Sequence, residues 1–184
     1  MKKLITQLTT CATIAVMLMF GQNANAQMMH NGDVGFSIGV DAGLPTGDIH
    51  DGSSFALGGT ARLQFGLASN LAFTVTSGYY NFFAKSYTTT VTVGNATATS
   101  TFKGDDYGIV PLKAGIKAFF DKNAYFGAEA GAGFETRKNG DTKLILSPAL
   151  GYAGDMWDLS VRYENFSGQG ANYGMVAARL AVSF

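Results

Sequence analysis

The stretch Tyr173–Phe184 (YGMVAARLAVSF) alternates with a period of two. One parity is apolar or small (Gly174, Val176, Ala178, Leu180, Val182, Phe184), and the other carries Met175, Ala177, Arg179, Ala181 and Ser183. Side chains on a strand point alternately to opposite faces, so this pattern predicts a β-strand with one greasy and one mixed face. A chain made of such strands must give its apolar faces either a common core or a lipid surround.

Seven further segments carry the same signal. They are Val34–Leu44, Phe55–Leu67, a third strand with Leu71, Phe73, Val75 and Tyr79 on one face, Tyr107–Phe120, a fifth with Phe126, Ala128, Ala130, Ala132 and Phe134 on one face, Lys143–Tyr152, and Trp157–Phe166. Phe55–Leu67 is the most regular and Lys143–Tyr152 the least. Pro148 lacks a ladder donor, and a bulge is expected there. Between the third and fourth strands lies the longest connection, roughly Asn81–Asp106. Its Thr-rich centre, with Gly94-Asn95 between alternating segments, predicts a β-hairpin reaching beyond the main sheet.

The first residues are read apart from the fold. Lys2 and Lys3 precede the apolar run Ala12–Phe20, and Ala24-Asn25-Ala26 supplies small residues for cleavage, so residues 1–26 are expected to be a signal peptide and 27–184 one barrel domain. The apolar run is too short to span a bilayer as a helix, and no later stretch is a candidate. Cys11 stands before that run, whereas a lipoprotein cysteine would follow it. As the only cysteine, it leaves the exported chain with no disulfide, thiolate metal site or thiol nucleophile. Of 13 basic residues two fall in the leader, leaving 11 against 13 acidic ones, and nothing points to a nucleic-acid partner. Charged residues are only 14% of the chain, low for a soluble protein and ordinary for a transmembrane barrel.

Connections between the strands alternate long and short, and the strand number is even; together these give the transmembrane-barrel pattern. Aromatic residues gather near strand ends and are expected to form two girdles, Tyr79, Tyr80, Phe82, Phe83 and Tyr107 on the outer side and Phe119, Phe120, Tyr125, Tyr152, Trp157 and Phe184 on the inner. An exported β-sandwich would also alternate, but its water-facing side would carry more charge. The expected fold is therefore all-β, an eight-stranded antiparallel transmembrane β-barrel after an N-terminal signal peptide. The stretches Asp41–Gly66, Pro111–Phe134 and Trp157–Gly168, with the closing strand, resemble the outer-membrane β-barrel domain family widespread in Bacteroidota, small barrels similar in architecture to the OmpA and OmpX type. The resemblance implies an integral outer-membrane location, contact with lipid and lipopolysaccharide, and assembly by the barrel-assembly machinery, for which the terminal Phe184 would be the signal. It brings no catalytic motif.

With apolar faces toward lipid, the inward charges are Asp41, Arg62, Lys113, Lys117, Glu129, Glu135, Asp158, Arg162, Glu164 and Arg179. The short turn at Lys122 sets Glu129 opposite Gly115, diagonal to Lys113 and Lys117. Arg162, Glu164 and Arg179 lie on neighbouring strands and form a second expected group. An eight-stranded barrel is just wide enough to be filled by side chains, and buried charges need partners. The set therefore reads as an ion-pair network plugging the lumen, with a narrow channel for ions or small apolar molecules as the alternative.

The remaining functional readings sit in the outer loops. His50, within Asp48–Ser54, admits a rim-sited lipid-modifying or proteolytic enzyme, though Asp, Gly and Ser are also turn formers. The pairs Asp48/Asp51 and Asp105/Asp106 match no calcium loop, and no metal or cofactor is expected. The Thr-rich hairpin suggests recognition by strand addition. The expectation is a non-enzymatic structural or surface-interaction protein.

Overall fold

The computed structural model describes residues 31–93, 96–168 and 172–184, with backbone alone for 91–93 and 96–98. The expected leader, residues 1–26, and the Gly94-Asn95 turn lie outside them. The described residues form ten strands: β1 Val34–Gly47, β2 Ser53–Ala68, β3 Leu71–Ala84, β4 Ser86–Val93, β5 Ala96–Lys103, β6 Tyr107–Phe119, β7 Ala124–Glu135, β8 Thr142–Ala153, β9 Trp157–Gly168 and β10 Tyr173–Ser183. Eight of them close into an antiparallel barrel in the order β1-β10-β9-β8-β7-β6-β3-β2, and β4 with β5 makes a separate two-stranded ribbon. Closure gives every barrel strand two neighbours, which is the condition for carrying backbone through hydrocarbon.

Alternation dictates the wall. Val40, Leu112, Leu146, Leu159 and Leu180 are about half exposed on the outside, while Arg62, Lys113, Glu129 and Arg179 are buried within. The seam runs from Ser37 opposite Ser183 to Gly47 opposite Tyr173. Beyond it Phe184 donates its N–H to Phe36 O at 2.8 Å and receives the Phe36 N–H at 3.2 Å.

The expected register of β6 and β7 holds, with Gly115 opposite Glu129. The expected bulge at Pro148 is absent. Pairing of β8 with β9 skips Ser147 and Pro148 and resumes from Leu146–Asn165 to Ala149–Arg162 with no residue inserted, while β7 pairs through Pro148 without a break. The proline's missing donor thus costs the ladder on one side only. Bulges fall instead on β2–β3, at Ser53/Phe55 and Gly66/Ala68.

The expected girdles are half right. Tyr79, Phe120, Tyr152 and Trp157 face outward, but Tyr80, Phe82, Phe119 and Tyr125 are buried inside the barrel. Adjacent aromatics such as Tyr79-Tyr80 cannot share a face of a strand.

The ribbon is bolted to the first long loop. Lys85 N–H donates to Gly52 O at 2.8 Å, Lys85 Nζ to His50 O at 2.6 Å, and Tyr87 hydroxyl to Asp51 O. At its other root, Ala84 N–H donates to Asp106 Oδ1 at 2.8 Å. Along it, Thr88 faces Thr101 with hydroxyls 3.2 Å apart.

Candidate functional site

Small and polar inward residues leave room for long charged side chains to meet at the barrel axis. Glu129 on β7 is the hub. Its carboxylate lies 3.3 Å from Arg62 of β2, 3.5 Å from Lys113 of β6 and 3.9 Å from Arg162 of β9. Thr76 and Thr74 hydroxyls donate to it at 2.7 and 3.0 Å. Lys113 bridges to Glu164 at 2.5 Å, which also faces Arg162 at 3.5 Å and accepts the Tyr80 hydroxyl at 3.1 Å. Arg162 pairs with Asp41, whose carboxylate takes the Thr60 hydroxyl at 2.6 Å. Arg62, Lys113, Glu129, Arg162 and Glu164 thus form one network spanning the lumen, where two groups were expected.

Two of the expected members sit elsewhere. Lys117 turns away from Glu129 and binds Asp158 at 2.5 Å, with its ammonium 4.0 Å from the centre of the Tyr125 ring. Tyr125 hydroxyl completes that cluster, donating to Asp158 at 2.6 Å. Closure of the wall lets Lys117 of β6 reach Asp158 of β9, although the two strands are not neighbours. Arg179 does not join Arg162 and Glu164 in an ion pair among the described residues; it donates to Thr60 at 3.0 Å and Ser37 at 3.2 Å. Glu135 belongs to the long-loop mouth, where Arg137 holds it at 2.8 Å.

The tyrosines and threonines of this network escaped the sequence reading, as did Lys143, which is buried at the mouth. Parity carried a signal for Lys143, because outward Leu144 and Leu146 force their neighbour inside.

Above the charged layer Phe82, Ile109, Ile145, Phe166 and Met175, all 1% exposed or less, pack together as an apolar septum inside the barrel. Phe82 stacks on Tyr107 at 4.9 Å and meets Phe166 edge-on at 6.1 Å. An ion leaving water for such an apolar layer loses its hydration without compensation.

Beyond the septum, at the long-loop end, a cavity of about 330 Å³ opens between the first loop, the ribbon's base and β7. His50, the residue of the enzymatic reading, is exposed near this rim with Nδ1 3.2 Å from Pro45 O. That ring nitrogen thus faces a backbone carbonyl, where a triad needs a hydroxyl and a carboxylate on the two ring nitrogens.

No protein-family model matches the sequence, and no curated protein matches it. Among solved structures the chain is similar to Ail, the attachment invasion locus protein of Yersinia pestis, with a TM-score of 0.53 and 12% identity over 84% of this chain and 99% of that one. The structure of Ail in complex with the heparin analogue sucrose octasulfate gives 0.53 and 13% over the same shares. Its backbone structure in a phospholipid bilayer nanodisc gives 0.52 and 12% over 80% of this chain and 99% of that one. At such identities the likeness is one of fold, and the fold is that of a closed eight-stranded barrel resembling outer-membrane barrels.

Proposed function

We propose that this chain is an integral outer-membrane barrel of the Bacteroidota type, exported by cleavage before Gln27, without enzymatic activity and with a plugged interior, acting at the cell surface through its long loops. Lipid and lipopolysaccharide surround its apolar belt, and the barrel-assembly machinery reads the strand ending in Phe184. The observation that carries the reading is the filled lumen: Glu129 is held by three cations beneath a buried apolar septum. Interaction is then left to the rim. There the ribbon stands on fixed bonds to the first loop and offers two strand edges with no further strand beside them among the described residues, with Tyr87 and Phe102 exposed at its root. Such an edge is suited to pairing with a foreign strand. That the similar fold of Ail serves an attachment invasion locus protein agrees with a surface role.

Single-channel recording of the refolded protein in a planar bilayer tests the plug. The wild type should be silent, and discrete openings altered by Glu129→Ala would overturn the reading in favour of a narrow channel. One feature favours that second reading: Arg162 Nε, Glu164 Oε2 and Arg179 Nη1 are buried without hydrogen-bond partners, and trapped water would satisfy them. Replacing Ser86–Lys103 by a short Gly-Ser turn tests the surface role. Barrel assembly should persist while producing cells lose attachment to an immobilised matrix, and unchanged attachment would remove the ribbon from the proposal.

A further inference from the structure

The cavity at the long-loop mouth, about 330 Å³, falls at the small end of the range used by small-molecule sites, roughly 300–1,000 Å³. Tyr107 and Tyr173 form its floor, edge-to-face with centroids 6.0 Å apart. Asp48 from the first loop, Asp105 from the ribbon's base and Glu135 from the end of β7 line its walls. Its basic residues are already matched. Arg137 lies 2.8 Å from Glu135, and Lys143 lies 3.5 Å from Asp141. Asp48 and Asp105 have no ion pair or side-chain hydrogen bond among the described residues.

What lines the cavity is therefore two carboxylates unmatched among the described residues, together with the rings of Tyr107 and Tyr173, which stack on Phe82 and Phe166. Both features attract positive charge. The protein supplies its own example, because the Arg137 guanidinium stands 5.8 Å from the centre of the Tyr107 ring. A hard divalent ion fits less well. It seeks about six oxygen ligands, and no group of three acidic or histidine side chains among the described residues is placed to hold one. The apolar surface of Ile49 and the rings is of no use to a bare metal, whereas the carbon body of an amine packs against it.

We infer that this vestibule binds small organic cations of the polyamine class. An ammonium group is held between Asp48 and Asp105, and the alkyl chain lies on the tyrosine floor. Arg137 is the resident competitor for the Tyr107 face and the Glu135 carboxylate. Because the septum lies below the floor, the bound cation stays at the rim whether or not the lumen conducts.

The test is isothermal titration of the refolded protein, in nanodiscs of zwitterionic lipid at fixed ionic strength, with spermidine as probe. The pair D48N/D105N should weaken binding at least tenfold, and R137A should tighten it severalfold by freeing the ring and the carboxylate. The pair D121N/D155N, at the opposite end of the barrel, should leave it unchanged. Absence of spermidine binding, equal weakening by both aspartate pairs, displacement by equimolar Mg2+, or weaker binding in R137A would each overturn the assignment. Retained resistance of each variant to heat-induced mobility shift in gels separates a lost site from a lost fold.

Discussion

Glu129 and Arg62 meet across the lumen at 3.3 Å, although β7 and β2 are not neighbours in the wall. Their side chains are 6% exposed, so each charge relies on the other and on the surrounding threonines in place of water. Removing the carboxylate leaves Arg62, Lys113 and Arg162 crowded together. Truncating one partner of a buried pair typically costs about 3–5 kcal/mol, and Glu129→Ala should destabilise the refolded barrel by that order in urea titrations followed by Trp157 fluorescence. Glu129→Gln keeps the acceptor for Thr76 and should lose less. A loss under about 1 kcal/mol for Glu129→Ala would mean that the network is hydrated, as at a surface.

This relationship marks how far the sequence could be read. Strand parity and the short turn at Lys122 determine which residues point inward and that Glu129 stands opposite Gly115, because both depend only on neighbours along the chain. The Lys113 contact followed from that register. The Arg62 contact depends on closure, which brings together side chains from strands several places apart in the wall, and no local pattern encodes it. The same cause explains why Lys117 finds Asp158 and why Arg179 settles on Thr60 and Ser37. Paired aromatics depart from the expected girdles for a simpler reason: parity sends one ring of Tyr79-Tyr80 and one of Phe119-Phe120 inside the barrel.

Tyr125 lies directly opposite Gly151 across β7 and β8, and its ring occupies the space a side chain there would need. A Cβ at Gly151 would stand 2.3 Å from the ring and 2.4 Å from its hydroxyl. Gly151→Ala should therefore push Tyr125 off Asp158, leave that carboxylate short of a donor, and cost about 1–3 kcal/mol. At Gly59 the nearest atom would be 4.0 Å away, so Gly59→Ala should be neutral or stabilising by up to about 1 kcal/mol. The two alanine variants, compared by urea unfolding, separate a packing role of glycine from mere backbone freedom. Equal effects would contradict it.

Leu146 lies mid-strand on β8, 47% exposed on the outer wall and opposite Ala130. If that wall faces hydrocarbon, an arginine there must be buried in the bilayer centre, at about 2–4 kcal/mol, falling to about 0–1 near the interface. Leu146→Arg should therefore destabilise the barrel in lipid vesicles far more than Val34→Arg at the start of β1. Similar costs at the two positions would argue against a membrane belt at the level of Leu146.

Asp106 fixes the far root of the ribbon from an exposed position. The Ala84 N–H that it accepts at 2.8 Å, and then Lys103 at 3.3 Å, hold its carboxyl below the usual aspartate value of 3.8. A depressed folded-state pKa means that the contribution is fully present above the unfolded value and is lost as pH falls through the folded one. The ribbon root should therefore stay closed at neutral pH and loosen only below about pH 4. Hydrogen-exchange protection of the Ala84 amide should fall with acid in the wild type, relative to an Asp106→Asn variant whose neutral amide no longer titrates. Parallel acid profiles in the two proteins would show that another group anchors the ribbon.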